Sequence, residues 1–160
     1  MYTFIAGLLA FMAGFGMLAI FLAFLLPIAL YIFSSLGLYT MAQIKGLDYP
    51  WLAWIPFVKL FIVGELINEK VYFGSFAIPL AQVILPISAV CSGAFATIPY
   101  IGWLIGIAFL VYNYVAYYRF YKLYNADSAI LFLVLSIIFP FMLSIFPFII
   151  RNRESIEYIY

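Results

Sequence analysis

The chain has no histidine, a single cysteine and very few charges: seven basic and six acidic residues among 160. Each shortage excludes something. Without histidine there is no imidazole acid–base chemistry and no histidine-bearing metal site. With Cys91 as the sole thiol there is no internal disulfide, and its apolar neighbours suit a small packed hydrophobe. A net charge of +1 leaves no electrostatic footprint for nucleic acid. The first forty-four residues carry no charged side chain, and no polar turn cluster interrupts them. No glycine-rich phosphate loop or nucleophile elbow occurs, so neither an enzyme nor a cofactor is expected. The start lacks the basic residues of a signal peptide, and no lipidation motif is present.

What is present is apolar surface. The chain is 69% hydrophobic and 8% charged, against about 45–50% and about 25% in ordinary soluble domains. Water could not solvate such a surface, so the expected medium is lipid. The apolar runs are continuous, which argues for helices and against the alternating pattern of a membrane barrel. The expected fold is an all-α integral membrane protein, forming one membrane domain of four transmembrane helices and one interfacial or re-entrant segment.

Residues 6–44 read as one long span kinked near Pro27, since 44 residues would measure about 60 Å as a helix. Gly46 should stop it, and Asp48-Tyr49-Pro50 reads as a turn. Residues 50–67 follow, with Lys59 and Glu65 among apolar neighbours. A buried Lys59 would be costly in a bilayer, so this segment is placed in the interface, Pro56 in its first turn. Trp51 and Trp54 would anchor it at headgroup level. Residues 74–98 and 101–124 are the next spans, the latter rich in tyrosine at its second half. Tyr114, Tyr118 and Tyr121 share a helix face and, with Arg119 and Lys122, suggest an interfacial belt. Asp127 or Ser128 should cap the last span, 129–150, unless that segment folds back as a re-entrant turn between Phe139-Pro140 and Pro147.

With four spans, five cations lie on one side, which the positive-inside rule makes cytoplasmic; Arg151 and Arg153 would lie opposite. Small residues recur every fourth position in three places, at Ala6, Ala10 and Gly14, at Ser88, Ser92 and Ala96, and at Ala89, Gly93 and Thr97. Gly102 and Gly106 repeat that spacing, which suits close helix contact in lipid. Lys59, Glu65 and Asn113 are the candidate contacts for an ion, a solute or a lipid headgroup, though solvated charges would explain the first two. Asn113 would bond a neighbouring helix, with Gln82 as its plausible partner.

The stretch Lys45-Gly46-Leu47-Asp48-Tyr49-Pro50-Trp51-Leu52-Ala53-Trp54-Ile55-Pro56, preceded by Gly37-Leu38-Tyr39, resembles the signature of a group of small, uncharacterised multi-pass membrane proteins of Gram-positive bacteria. Tyr121-Lys122-Leu123-Tyr124 and Phe148-Ile149-Ile150-Arg151-Asn152-Arg153 are similar too. The resemblance implies a bacterial plasma membrane and no particular activity. The expected role is a non-enzymatic accessory, scaffold or assembly component, its partners being lipids and either copies of itself or another membrane protein. The competing expectation is a small oligomeric transporter or channel subunit.

Overall fold

The computed structural model describes residues 2–74, 76–95, 98 and 101–156. It is mostly helical, about 75%, with six α-helices among the described residues. The chain divides into two units, Met1–Ile32 and Phe33–Tyr160.

Helix α1 runs Tyr2–Ile44, and Pro27 lies inside it without ending it. Phe11–Ile44 is long and apolar enough to cross a membrane, and it is the one helix that meets that test among the described residues. Within the first unit the side chains from Phe11 to Ile28 are exposed, with Phe11 68% and Met17 75%. At its other end α1 stops on chemistry legible in the sequence. Gly46 adopts φ 74°, its N–H donates to the Gln43 carbonyl, and the Leu47 N–H donates to that of Ala42. This paired closure is a Schellman motif, for which glycine has no Cβ penalty.

A 3-10 turn, Pro50–Trp54, leads into α2, Lys59–Leu66. Proline opens that turn without losing a bond, because the first amide of a helix has no internal partner. Pro56 precedes α2 in a separate turn, so residues 50–67 form two short pieces. Helix α2 closes with a second Schellman pair, Asn68 to Glu65 and Glu69 to Gly64, with Asn68 at φ 59°.

The expected span over 74–98 is partly a β-hairpin. Strands β1 (Val71–Phe73) and β2 (Phe76–Ile78) pair antiparallel, Val71 opposite Ile78. Their residues are mostly β-branched or aromatic, Gly74 turns the chain at φ 61°, and Pro79 cannot donate the amide that a longer helix would need. Helix α3 then covers Ala81–Phe95 and α4 covers Gly102–Tyr124.

Segment 129–150 is not one helix. It comprises α5, Ala129–Ile138, and α6, Met142–Ile149, broken where Pro140 falls. It also returns to where it began. Arg153 Nη1 donates to Asn125 Oδ1 at 2.8 Å, and the Ile156 amide donates to the Leu123 carbonyl at 2.7 Å. The segment therefore leaves and re-enters at the C-terminal end of α4, the fold-back alternative rather than the single span. No side-chain cap forms at Ser128; a 3-10 turn, Ala126–Ser128, leads into α5 instead.

The core of the second unit gathers Leu38 and Met41 of α1, Ile62, Val63 and Leu66 of α2, Leu85 of α3, and Phe120 and Tyr121 of α4. Two glycines set its closest approaches. A Cβ on Gly37 would lie 2.5 Å from the Phe148 amide nitrogen of α6, and one on Gly64 would lie 2.7 Å from the Ala81 carbonyl carbon of α3. Tyr121 meets Phe132 and Phe146 edge-on, while those two rings stack 4.1 Å apart. Aromatic pairs of this kind contribute about 0.5–1.5 kcal/mol each beyond area burial.

Candidate functional site

Two places in the second unit collect the polar side chains. The first is the C-terminal end of α2. Lys45 Nζ donates to the Glu65 carbonyl (2.6 Å), the Leu66 carbonyl (3.2 Å) and Asn68 Oδ1 (2.6 Å). Arg119 Nε donates to the Ile67 carbonyl at 3.1 Å, and the Tyr124 hydroxyl reaches the Leu66 carbonyl at 3.5 Å. The last carbonyls of a helix lack internal partners and carry its negative dipole end. Two cations, one just beyond α1 and one on α4, therefore fix α2 by its terminus. Arg119 also lies over the Tyr72 ring, 4.1 Å from its centroid. Arg119 is thus a tie within the protein, not a free-standing anchor.

Lys59 and Glu65 sit at opposite ends of this short helix. Lys59 Nζ donates to Ser34 Oγ of α1 at 3.3 Å, and burial holds its ammonium below the ordinary lysine value. Glu65 lines a small recess with Asp48, Tyr49 and Phe61. Burial raises its carboxyl above the ordinary range, the charge of Glu69 raises it further, and Lys45 opposes both. Neither Lys59 nor Glu65 lines the cleft at Asn113.

Asn113 belongs to the second place, a cleft of about 390 Å³ walled by Leu60, Ala89, Gly106, Phe109, Leu110 and Leu143, with Ser88, Tyr114 and Tyr117 beside it. Asn113 Nδ2 donates to Ser88 Oγ at 2.9 Å and to the Phe109 carbonyl at 2.8 Å. Ser88 Oγ in turn donates to the Leu85 carbonyl at 2.7 Å. Asn113 does bond the neighbouring helix, but through Ser88. Gln82, the expected partner, is buried against Gly64, and its Oε1 has no partner among the described residues.

The remaining expected anchors divide. Trp51 and Trp54 are exposed, as is Lys122. Tyr118 is half-buried, and Tyr114 is half-buried with its hydroxyl 3.4 Å from the Ser136 carbonyl. Tyr121 is fully buried, its hydroxyl 3.2 Å from Ser136 Oγ, so it is a core residue rather than part of a surface belt. Spacing puts these tyrosines on one face; only the packing of α5 and α6 shows that the face is covered. The small-residue rows fare similarly. A Cβ on Gly14 or Gly106 would meet nothing within 4 Å, so among the described residues of its own unit neither glycine marks a helix contact. Ser92, Gly93, Ala96 and Thr97 have side chains outside the described residues.

Sequence reasoning misses Lys45, Gly64 and Tyr117. The first two act across long sequence separations, which spacing cannot register. Tyr117 has a signal: Gly106, Leu110, Asn113 and Tyr117 fall on one face of α4 at i, i+4, i+7 and i+11. Among the described residues no group of three cysteines or carboxylates is placed to hold a metal ion. No protein-family model, curated protein or solved structure matches the chain.

Proposed function

We propose that this chain is a multi-pass membrane protein serving as a non-enzymatic accessory or assembly component of a membrane complex. The observation that carries the reading is that the outward helix faces are apolar as well as the core. Val83, Ile87 and Val90 on α3, Trp103, Ile107 and Leu110 on α4, and Ile130, Val134 and Ile137 on α5 are all exposed. Contiguous exposed apolar surface of this extent belongs in a hydrocarbon medium or an interface.

Helix α1 crosses fully. The 23 residues of α4 measure about 34 Å, matching a hydrocarbon core of about 30 Å. Helix α3 runs back toward the start of α4, and α5–α6 enters and returns on one side; its break at Phe139–Phe141 is exposed in the chain alone, so at membrane depth a partner must cover it. In this threading all seven cations gather on the side where α1 and α4 end. That side is cytoplasmic by the positive-inside rule, with the N-terminus outside. A bacterial plasma membrane fits the Lys45–Pro56 resemblance.

The polar groups that a transport path would need are engaged in holding the fold: Lys59 with Ser34, Asn113 with Ser88, Arg119 with Ile67. This favours an accessory role. The cleft at Asn113 favours a second reading, a small oligomeric transporter subunit. The full chain should resist an alkaline carbonate wash of membranes and enter detergent, and cross-linking in the membrane should capture a stoichiometric partner. Folded protein recovered in the wash would overturn membrane residence. Solute flux by the chain alone in liposomes would replace the accessory reading with the transporter.

A further inference from the structure

We infer that the cleft beside Asn113 binds an uncharged single-chain amphiphile, a hydrocarbon tail ending in a hydroxyl- or amide-bearing head. Four features argue for it. The volume, about 390 Å³, lies in the range of about 300–1,000 Å³ typical of ligand pockets. None of the ten lining residues is charged, so an ionic head would be desolvated without a partner, at a cost that normally forces neutralisation.

The lining is also graded along α4. Gly106, Phe109 and Leu110 lie toward its start, and Asn113, Tyr114 and Tyr117 lie one to two turns later. A tail against the former and a head against the latter matches that order. Finally, the polar end has unused capacity. Asn113 donates both its observed bonds through Nδ2, which leaves Oδ1 to accept. Tyr117 lines the cleft, and its hydroxyl makes no hydrogen bond among the described residues. That oxygen is not one of the fully buried unpartnered atoms, so it stays open to the cleft, where a ligand hydroxyl or amide would bond it.

Gly106 makes the idea testable without breaking the fold. It sits in the cleft wall, where an added Cβ would meet nothing within 4 Å. Gly106→Leu would therefore fill the cleft instead of displacing backbone. Tyr117→Phe removes only the unpartnered hydroxyl, so the empty protein should melt no lower than the native chain.

The experiment uses the full chain in detergent micelles with a monoacylglycerol carrying a diazirine in its tail, beside a fatty acid with the same tail. Photolabelling should be saturable, competed by unlabelled monoacylglycerol, and mapped to peptides containing Phe109–Leu110 or Leu143. The fatty-acid carboxylate should label at least about tenfold less at neutral pH. Gly106→Leu should cut labelling at least about tenfold, and Tyr117→Phe about three- to tenfold, the weight of one lost hydrogen bond. Labelling spread over the outer helix faces and unchanged in Gly106→Leu would overturn the site. Equal labelling by the carboxylate would overturn its stated chemistry. Should Gly106→Leu fail to fold, undiminished labelling of Tyr117→Phe decides against the proposal. The inference relies on membrane residence only for a supply of lipid. Binding in micelles by a chain that washes off membranes would sink the proposed function alone.

Discussion

The stretch from Phe11 to Ile32 and the unit that follows it are both strongly apolar, yet they handle that character in opposite ways. In the first, every described side chain from Phe11 to Leu26 is exposed and none is charged. Its backbone needs nothing from outside, because a helix satisfies its own amides and carbonyls. In the second unit the helices other than α4 are shorter, the last segment is broken at Pro140, and their loose ends require side-chain partners. Lys45, Arg119, Tyr124 and Arg153 supply them, each acting at a helix terminus or turn. An apolar composition alone therefore specifies a long helix and no tertiary structure. The few polar residues decide how the shorter helices assemble.

Paired glycine substitutions should break this comparison most sharply. Gly64→Ala puts a methyl group into the α3 backbone at Gln82 and Ala81, and neither can yield as a flexible side chain would. We expect a loss of roughly 3 kcal/mol, at the upper end for overpacking. Gly14→Ala sits in open space on α1 and should raise helix stability by about 0.5–1 kcal/mol. Unfolding titrations in mixed micelles would show the two changes. Equal effects would mean that the α2–α3 approach is not as close as described. Lys45→Met comes next in size. It removes three charge-assisted bonds from the end of α2, and the expected loss is about 2–3 kcal/mol, well below their sum because such terms are not additive. Lys45→Arg should recover part of it, since the fork still donates although its geometry differs.

How much of this is legible in the residues follows the same division. Helix α1, its stop at Gly46 and the run of α4 can be read from apolar continuity and glycine chemistry, both local. The hairpin at Val71–Ile78 has a signal too, in the β-branched and aromatic residues around Gly74, but the surrounding apolar run hides it. The return of α5–α6 is half legible. Pro140 marks the break, and Arg151 and Arg153 sit awkwardly on the far side of any four-span threading. What spacing cannot provide is partners. Polarity in an apolar helix singles out Asn113, yet only the packing of α3 shows Ser88 as its neighbour. Tyr121 reads as a surface ring because the helices that cover it lie after it in the chain.

The smallest effect expected is in pH dependence, and it too separates the two regions. The stretch Phe11–Ile32 has no carboxylate or amine side chain, so its stability should not respond to pH near neutrality. Glu65 gives the second unit a response. Burial first and the Glu69 charge second raise its carboxyl in the folded state, against the pull of Lys45. The folded chain then binds a proton that the unfolded chain has released, between the ordinary carboxyl range and the raised value. Stability must fall as pH rises through that window. Glu65→Gln should remove the slope, so the variant gains on the native chain at neutral pH and matches it in acid. Lys59 acts at the other extreme. Its ammonium is lowered by burial, so stability should rise with pH below the ordinary lysine range. In Lys45→Met the Glu65 carboxyl loses its one opposing charge, and the acid-side window should widen upward. Unfolding midpoints measured across pH for the three chains decide it. A slope that survives Glu65→Gln would move the titrating group elsewhere.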